Sequence, residues 1–140
     1  MYSPTSDADL LYQKARRVMN SYAPECLFEN LPDNNKEIVR NWVPPIDGTP
    51  IIVFRHDDDT WTVLTDKQLI SSASQLRTSI PLEQIRGDYE IRGSHANVSD
   101  HNLIQFPNFS HWVWTPSTEH ASLLLNAMFI VFHRNERKRR

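Results

Sequence analysis

The feature that most constrains this chain is a change of rhythm at Pro44-Pro45-Ile46-Asp47-Gly48. Before it, apolar residues recur every three or four positions, the spacing of a helix face. After it, short β-branched and aromatic runs are cut by turn residues, the spacing of strands. Adjacent prolines cannot continue a helix and stiffen the backbone, so the stretch reads as a connector between two kinds of structure. We therefore divide the chain into a helical extension, residues 1–48, and a β-rich body, residues 49–140, packed as one compact unit.

Ser6 to Ser21 reads as a helix in which Leu11, Ala15, Val18 and Tyr22 form one apolar stripe, with Ser6 and Asp9 as a capping pair and Pro24 as the stop. Asn34 to Trp42 reads as a second, shorter helix, capped by Asn34, with Ile38 and Trp42 on a common face. The two helices are expected to form a layer packed on the β-rich body. The strands expected are Ile51–Arg55, Thr60–Thr65, Gln68–Ser72, Leu76–Ile80, Asp88–Arg92, Leu103–Phe106 and His111–Thr115. Along the second of these, Trp61, Val63 and Thr65 alternate with Thr62 and Leu64, the pattern of a sheet with two unlike faces. The chain ends in a helix for which Thr115 can cap and Pro116 suits the first turn, and Leu124, Ala127, Met128 and Val131 share a face. The fold class is α+β: a small bent antiparallel sheet, or half-open barrel, closed by a C-terminal helix, with an N-terminal helical extension.

Two segments carry a resemblance. Thr60-Trp-Thr-Val-Leu-Thr-Asp-Lys-Gln-Leu-Ile70, followed by Ile80-Pro-Leu-Glu-Gln-Ile85 and a terminal helix, resembles the bacterial pleckstrin-homology-like domains. Those domains carry a strand ending in Leu-Thr-Asp-Lys-Arg-Leu-Ile, an Ile-Pro-Leu-Glu-Gln-Ile-like segment and a closing helix. The resemblance covers about residues 50–134, and Gln68 stands where the pattern has arginine. It implies a binding module, not an enzyme, and names no ligand class, since lipid, peptide and protein partners all occur on that fold.

Charge narrows the partners. The chain of 140 residues has a net charge of −2, but five of its 15 basic residues lie at Arg134, Arg137, Lys138, Arg139 and Arg140. The remainder is acidic, which argues against nucleic acid and for a basic partner. The basic tail can touch an anionic surface, or be a solvated helix end. Met1 to Asp9 lacks the basic start and apolar stretch of a secretory signal, and Leu123 to Phe132 is too short to span a bilayer. A cytoplasmic protein is expected.

The reactive inventory is thin. Cys26 is the single cysteine; it cannot form an internal disulfide, and acidic Glu25 and Glu29 beside it raise its thiol pKa. The six histidines, His56, His95, His101, His111, His120 and His133, show no paired spacing of the kind zinc sites use. Three glycines leave no room for a phosphate loop or a dinucleotide fingerprint, and no nucleophile elbow occurs. His56 with Asp57, Asp58 and Asp59 has hard-cation ligand types, but lacks the central Gly and later Glu of a calcium loop, so it reads as a solvated turn. Trp112 and Trp114 flank Val113 and offer either an aromatic platform or core; core is the simpler reading, as it is for Trp61.

The expectation is a non-enzymatic, cofactor-free and metal-free protein-binding module. Small size, an acidic body and extra helical surface match the general profile of bacterial immunity proteins, which neutralise a toxin from inside the cell. On that reading Asp57, Asp58, Asp59, Glu83, Asp88 and Glu90 face a basic partner. The alternative is a lipid or membrane-surface adaptor working through the basic tail.

Overall fold

The computed structural model describes residues 7–73, 76–85, 89–92, 102–106 and 112–138. The order is helix α1 (Asp7–Tyr22), helix α2 (Asp33–Trp42), strands β1 (Pro50–Arg55), β2 (Trp61–Thr65), β3 (Gln68–Ala73), β4 (Leu76–Pro81), β5 (Glu90–Arg92), β6 (Asn102–Gln105) and β7 (Val113–Thr115), then helices α3 (Thr118–Ala127) and α4 (Phe129–Lys138). The strands form two antiparallel sheets, β1-β2-β3-β4 and β5-β6-β7. No pairing joins the two sheets among the described residues, so the β-structure stays open and helices complete it. This is the α+β architecture expected, with a helix at each end.

Register decides what the larger sheet buries. Ile52, Leu64, Leu69 and Ile80 lie opposite one another across its four strands, and so do Phe54, Thr62, Ser71 and Thr78. These rows face the main core, with Leu11, Ala15 and Met19 of α1, Ile104 and Trp114 of the second sheet, and Leu124 and Met128 near the C-terminus. Each large side chain so buried contributes about 1.5–3 kcal/mol. The rows between them are Val53–Val63–Ile70–Ser79 and Arg55–Trp61–Ser72–Arg77. They face the other way, and Val39 of α2 with Val43, which follows the helix, covers them.

The two N-terminal helices thus do not form one layer. They clasp the sheet from opposite sides, α1 inside and α2 outside. For that reason every residue of β2 is buried, although its alternation predicts two unlike faces. On α1, Leu11, Ala15 and Val18 are buried as expected, but Tyr22 is 69% exposed and Met19 takes the place beside Val18. The main core is continuous from α1 to α4, so the helical extension shares its interior with the body.

Polar side chains join the layers. Thr62 Oγ1 donates to the carbonyl of Trp114, and the Trp114 N–H donates to Ser71 Oγ at 3.0 Å. This bond pair pins the second sheet onto the central strands of the first. At the far end, Asn135 of α4 is buried and donates through Nδ2 to the carbonyls of Leu82 and Ile85. It holds the single 3-10 turn Leu82–Gln84 that follows β4.

The C-terminal helix expected is two helices with a break at Met128, and Leu124, Ala127, Met128 and Val131 are all buried there. Its cap is Ser117, not Thr115: the Ser117 hydroxyl accepts the His120 N–H, while Thr115 is still in β7. At α2 the residue before the first turn is Pro32, whose carbonyl accepts the Lys36 N–H at 3.0 Å, and Asp33 rather than Asn34 opens the helix. Among the described residues no helix is long and apolar enough to cross a membrane.

Candidate functional site

The acidic run sits at the tip of the β1–β2 hairpin. The Asp57 carboxylate accepts the backbone N–H groups of Asp59 and Thr60, both at 2.8 Å, a local turn typical of aspartate. The His56 N–H donates to the carbonyl of Thr60, closing the loop. Arg55 reaches Asp58 at 2.7 Å, and Ser72 of β3 donates to the carbonyl of Asp59 at 3.0 Å. The three aspartates are therefore held differently: the Asp57 carboxylate shapes the turn, the Asp58 carboxylate meets an arginine, and Asp59 is fixed through its backbone. His56, Asp57 and Asp58 stay largely exposed. The tip is acidic in a fixed shape.

The other acids lie elsewhere. Glu83 is in the turn after β4, at the end of the sheet away from the tip, because β1–β2 and β3–β4 turn at one end and β2–β3 at the other. Strands of five or six residues put those ends roughly 15–20 Å apart. There Glu83 lines a polar depression with Asp66, Lys67, Gln68 and Arg134. Glu90 is exposed on β5, opposite Gln105 in the second sheet. Asp88 lies outside the described residues, as do His95, His101 and His111. The expected acidic residues that are described occupy separate places, and among them only Asp57, Asp58 and Asp59 adjoin.

A cleft of about 280 Å³ opens along the outer edge of β1, lined by Glu25, Cys26, Asn35, Arg55 and His120 among others. Sequence reading misses it because its polar groups come from four separate elements at unrelated spacings. Cys26 is buried, and burial first, then the Glu25 charge, push its thiol up to about 11. A thiol in that range stays protonated at neutral pH and is a poor nucleophile. His120 turns Nδ1 to the Ser117 hydroxyl at 2.7 Å and packs its ring edge-on to Phe54. Glu29, the other acid near Cys26 in sequence, is engaged elsewhere. It accepts the Tyr12 hydroxyl at 2.8 Å and pairs with Arg16 at 2.8 Å. The hydrogen bond to Glu29 is the first cause of the raised Tyr12 pKa. Among the described residues no three His, Cys, Asp or Glu side chains converge as a metal site would require.

The tryptophans serve the fold. Trp42 and Trp61 stack in parallel with ring centroids 4.6 Å apart, and each has an arginine as its other neighbour, Arg55 over Trp42 and Arg77 over Trp61. The run Arg55–Trp42–Trp61–Arg77 fastens α2 to the outer sheet face. Trp114 is buried between the sheets and Trp112 is half-buried. The Leu64-Thr65-Asp66-Lys67 segment is likewise structural. Thr65 Oγ1 donates to the carbonyl of Asp47 and accepts the N–H groups of Lys67 and Gln68, while Asp66 accepts the Thr49 N–H. Comparison with family models, curated proteins and solved structures gives no match to the chain.

Proposed function

We propose that this protein is a non-enzymatic protein-binding module acting in the cytoplasm, and that it inhibits a basic partner in the manner of a bacterial immunity protein. The observation that carries the reading is the β1–β2 tip. Asp57 locks the turn with two backbone hydrogen bonds, so Asp58 and Asp59 are presented without further ordering on binding. A protonated Cys26 thiol in a cleft that also holds a histidine supports binding over covalent catalysis. The resemblance to pleckstrin-homology-like domains supports the same class.

The test is association with the product of the adjacent gene, followed by stopped flow. Asp58→Lys and Asp59→Lys are the informative changes, because Asp57 is needed for the turn. Reversal lowers the association rate and flattens its dependence on salt. An unchanged rate and salt dependence would remove the tip from the interface.

One observation favours the lipid-adaptor alternative. Phe129 is 60% exposed at the start of α4, stacked on His133, and the chain beyond is basic. Sedimentation with phosphatidylserine vesicles that is lost in Phe129→Ser would favour it over the inhibitor reading.

A further inference from the structure

A second surface lies at the other end of β1 from the acidic tip, and its chemistry is the opposite. Phe28, Arg40, Val43, Pro45, Gly48 and Pro50 line a groove of about 250 Å³. Its walls are apolar except for Arg40 and Thr49. The volume is below the ~300–1,000 Å³ usual for small-molecule sites, and fits one or two apolar side chains. Ile46, between the lining residues Pro45 and Gly48 in sequence, is 79% exposed.

The rim is cationic. Lys36 and Arg40 lie one helical turn apart on α2, and both sit over the Phe28 ring, at 5.9 and 5.4 Å from its centroid. Like charges at this spacing repel by about 0.2–0.5 kcal/mol in a helix. Among the described residues neither makes an ion pair, although the chain is acidic and other arginines, Arg16 and Arg55, do pair with carboxylates. The α2 acids Asp33 and Glu37 stand three residues before Lys36 and Arg40, at a spacing that allows pairing, yet neither comes within ion-pair distance of them. Two cations thus stand beside an apolar groove, held over the Phe28 ring and without an ion pair among the described residues.

The groove is also rigid. Pro44, Pro45 and Pro50 fix the backbone around it. Gly48, with φ of 109°, is locked against Thr65 and Asp66, and the Thr65 hydroxyl holds the Asp47 carbonyl at 2.8 Å. A surface fixed before binding loses little entropy when it is filled.

We propose that this groove docks a short segment of a partner protein that presents a large apolar side chain flanked by acidic residues. The apolar side chain enters between Phe28, Val43 and the prolines, and the flanking carboxylates meet Lys36 and Arg40. This goes beyond the inhibitor reading and stands without it, since it uses none of the tip residues.

The test uses the full chain, isotopically labelled, titrated with the synthetic hexapeptide Glu-Asp-Leu-Phe-Asp-Glu and followed by amide shifts. Two controls replace the acids by lysine and arginine, or Leu-Phe by Ser-Ser. Saturable shifts centred on residues 40–49 are expected with the acidic apolar peptide alone. Arg40→Glu weakens them about tenfold while leaving the melting temperature near that of the parent. Ile46→Asp, at an exposed position between two lining residues in sequence, is the second variant and weakens them by adding a like charge to the acidic peptide's docking surface. The proposal is overturned if the shifts map elsewhere, if either control binds equally, or if both variants bind like the parent. Concentration-dependent shifts at residues 40–49 without peptide would assign the groove to a second copy of this chain, and would also overturn it.

Discussion

Gly48 and Asp66 approach so closely that no β-carbon fits between them: one built on Gly48 would stand 2.5 Å from Asp66 Oδ1 and 2.6 Å from Thr65 Oγ1. The same Asp66 oxygen accepts the Thr49 N–H at 2.9 Å, so it is not free to move away. Gly48 also has φ of 109°, a region closed to other residues. Gly48→Ala is therefore expected to destabilise the protein by about 2–3 kcal/mol, at the upper end of such backbone strain. Equilibrium urea unfolding measures it. A variant as stable as the parent would mean that the connector and the β2–β3 turn are not locked together.

The link between the two sheets gives a second expectation. Ser71 accepts the Trp114 N–H and lies 2.8 Å from Thr62, whose hydroxyl reaches the Trp114 carbonyl. Ser71→Ala and Thr62→Val each remove one strut from a buried interface, at a cost of about 1–3 kcal/mol. Because both act on one backbone unit, their effects should not add. A double-mutant cycle on urea unfolding checks this, and a coupling energy near zero would show that the two hydroxyls act independently.

These two relationships show where sequence reading reaches its limit. The Thr65-Asp66-Lys67 turn and the Pro-Pro connector are both legible locally, because hydroxyls, carboxylates and prolines act over two or three residues. That Asp66 clasps Gly48 is not, since a whole hairpin separates the two along the chain. The same holds for β2. Its alternation correctly marks a strand, but α2 returns to cover the second face, and no local pattern states that. Tyr22 continues the α1 stripe in spacing, yet it is the last residue of the helix and faces outward, while Met19 and Ala23 on either side of it hold the core. Ser117 caps α3 where Thr115 also has a hydroxyl, and only the length of β7 decides between them. The acidic tip is legible as a turn. The cleft holding Cys26, Asn35, Arg55 and His120 is not, because tertiary packing alone brings them together.

The Trp42–Trp61 stack separates packing from charge. Trp42 covers Trp61 with rings within 1° of parallel, so Trp42→Ala uncovers a large buried ring and opens the α2 contact. It is expected to cost about 2–3 kcal/mol, less than a full core tryptophan because Trp42 is half-buried. Arg77→Ala should cost only about 0.5–1 kcal/mol, the usual worth of an exposed cation over a ring. Its contact with Asp47, at 3.9 Å and partly exposed, adds little. Thermal unfolding of the two variants orders them. If Arg77→Ala were the more damaging, electrostatics rather than stacking would hold α2 in place.

Cys26 provides the pH test. Its thiol rises from an ordinary value of 9.0 to about 11 on folding, through burial first and the Glu25 charge second. The folded protein thus keeps a proton that the unfolded chain releases between those two values. Stability must fall as pH rises through that window, and the contribution is fully present below pH 9. The loss is on the order of 2 kcal/mol across the window. Cys26→Ala has no thiol to titrate, so its stability should decline less over the same range, even if a small cavity lowers its value at neutral pH. Urea midpoints from pH 8 upward, compared between parent and variant, give the difference directly. The same shift requires slow reaction of the native thiol with a disulfide reagent at neutral pH, and a rate that climbs until the pH nears 11. Rapid labelling at pH 7 under native conditions would mean that the cleft beside His120 holds a thiolate, and the case for binding over covalent chemistry would fail with it.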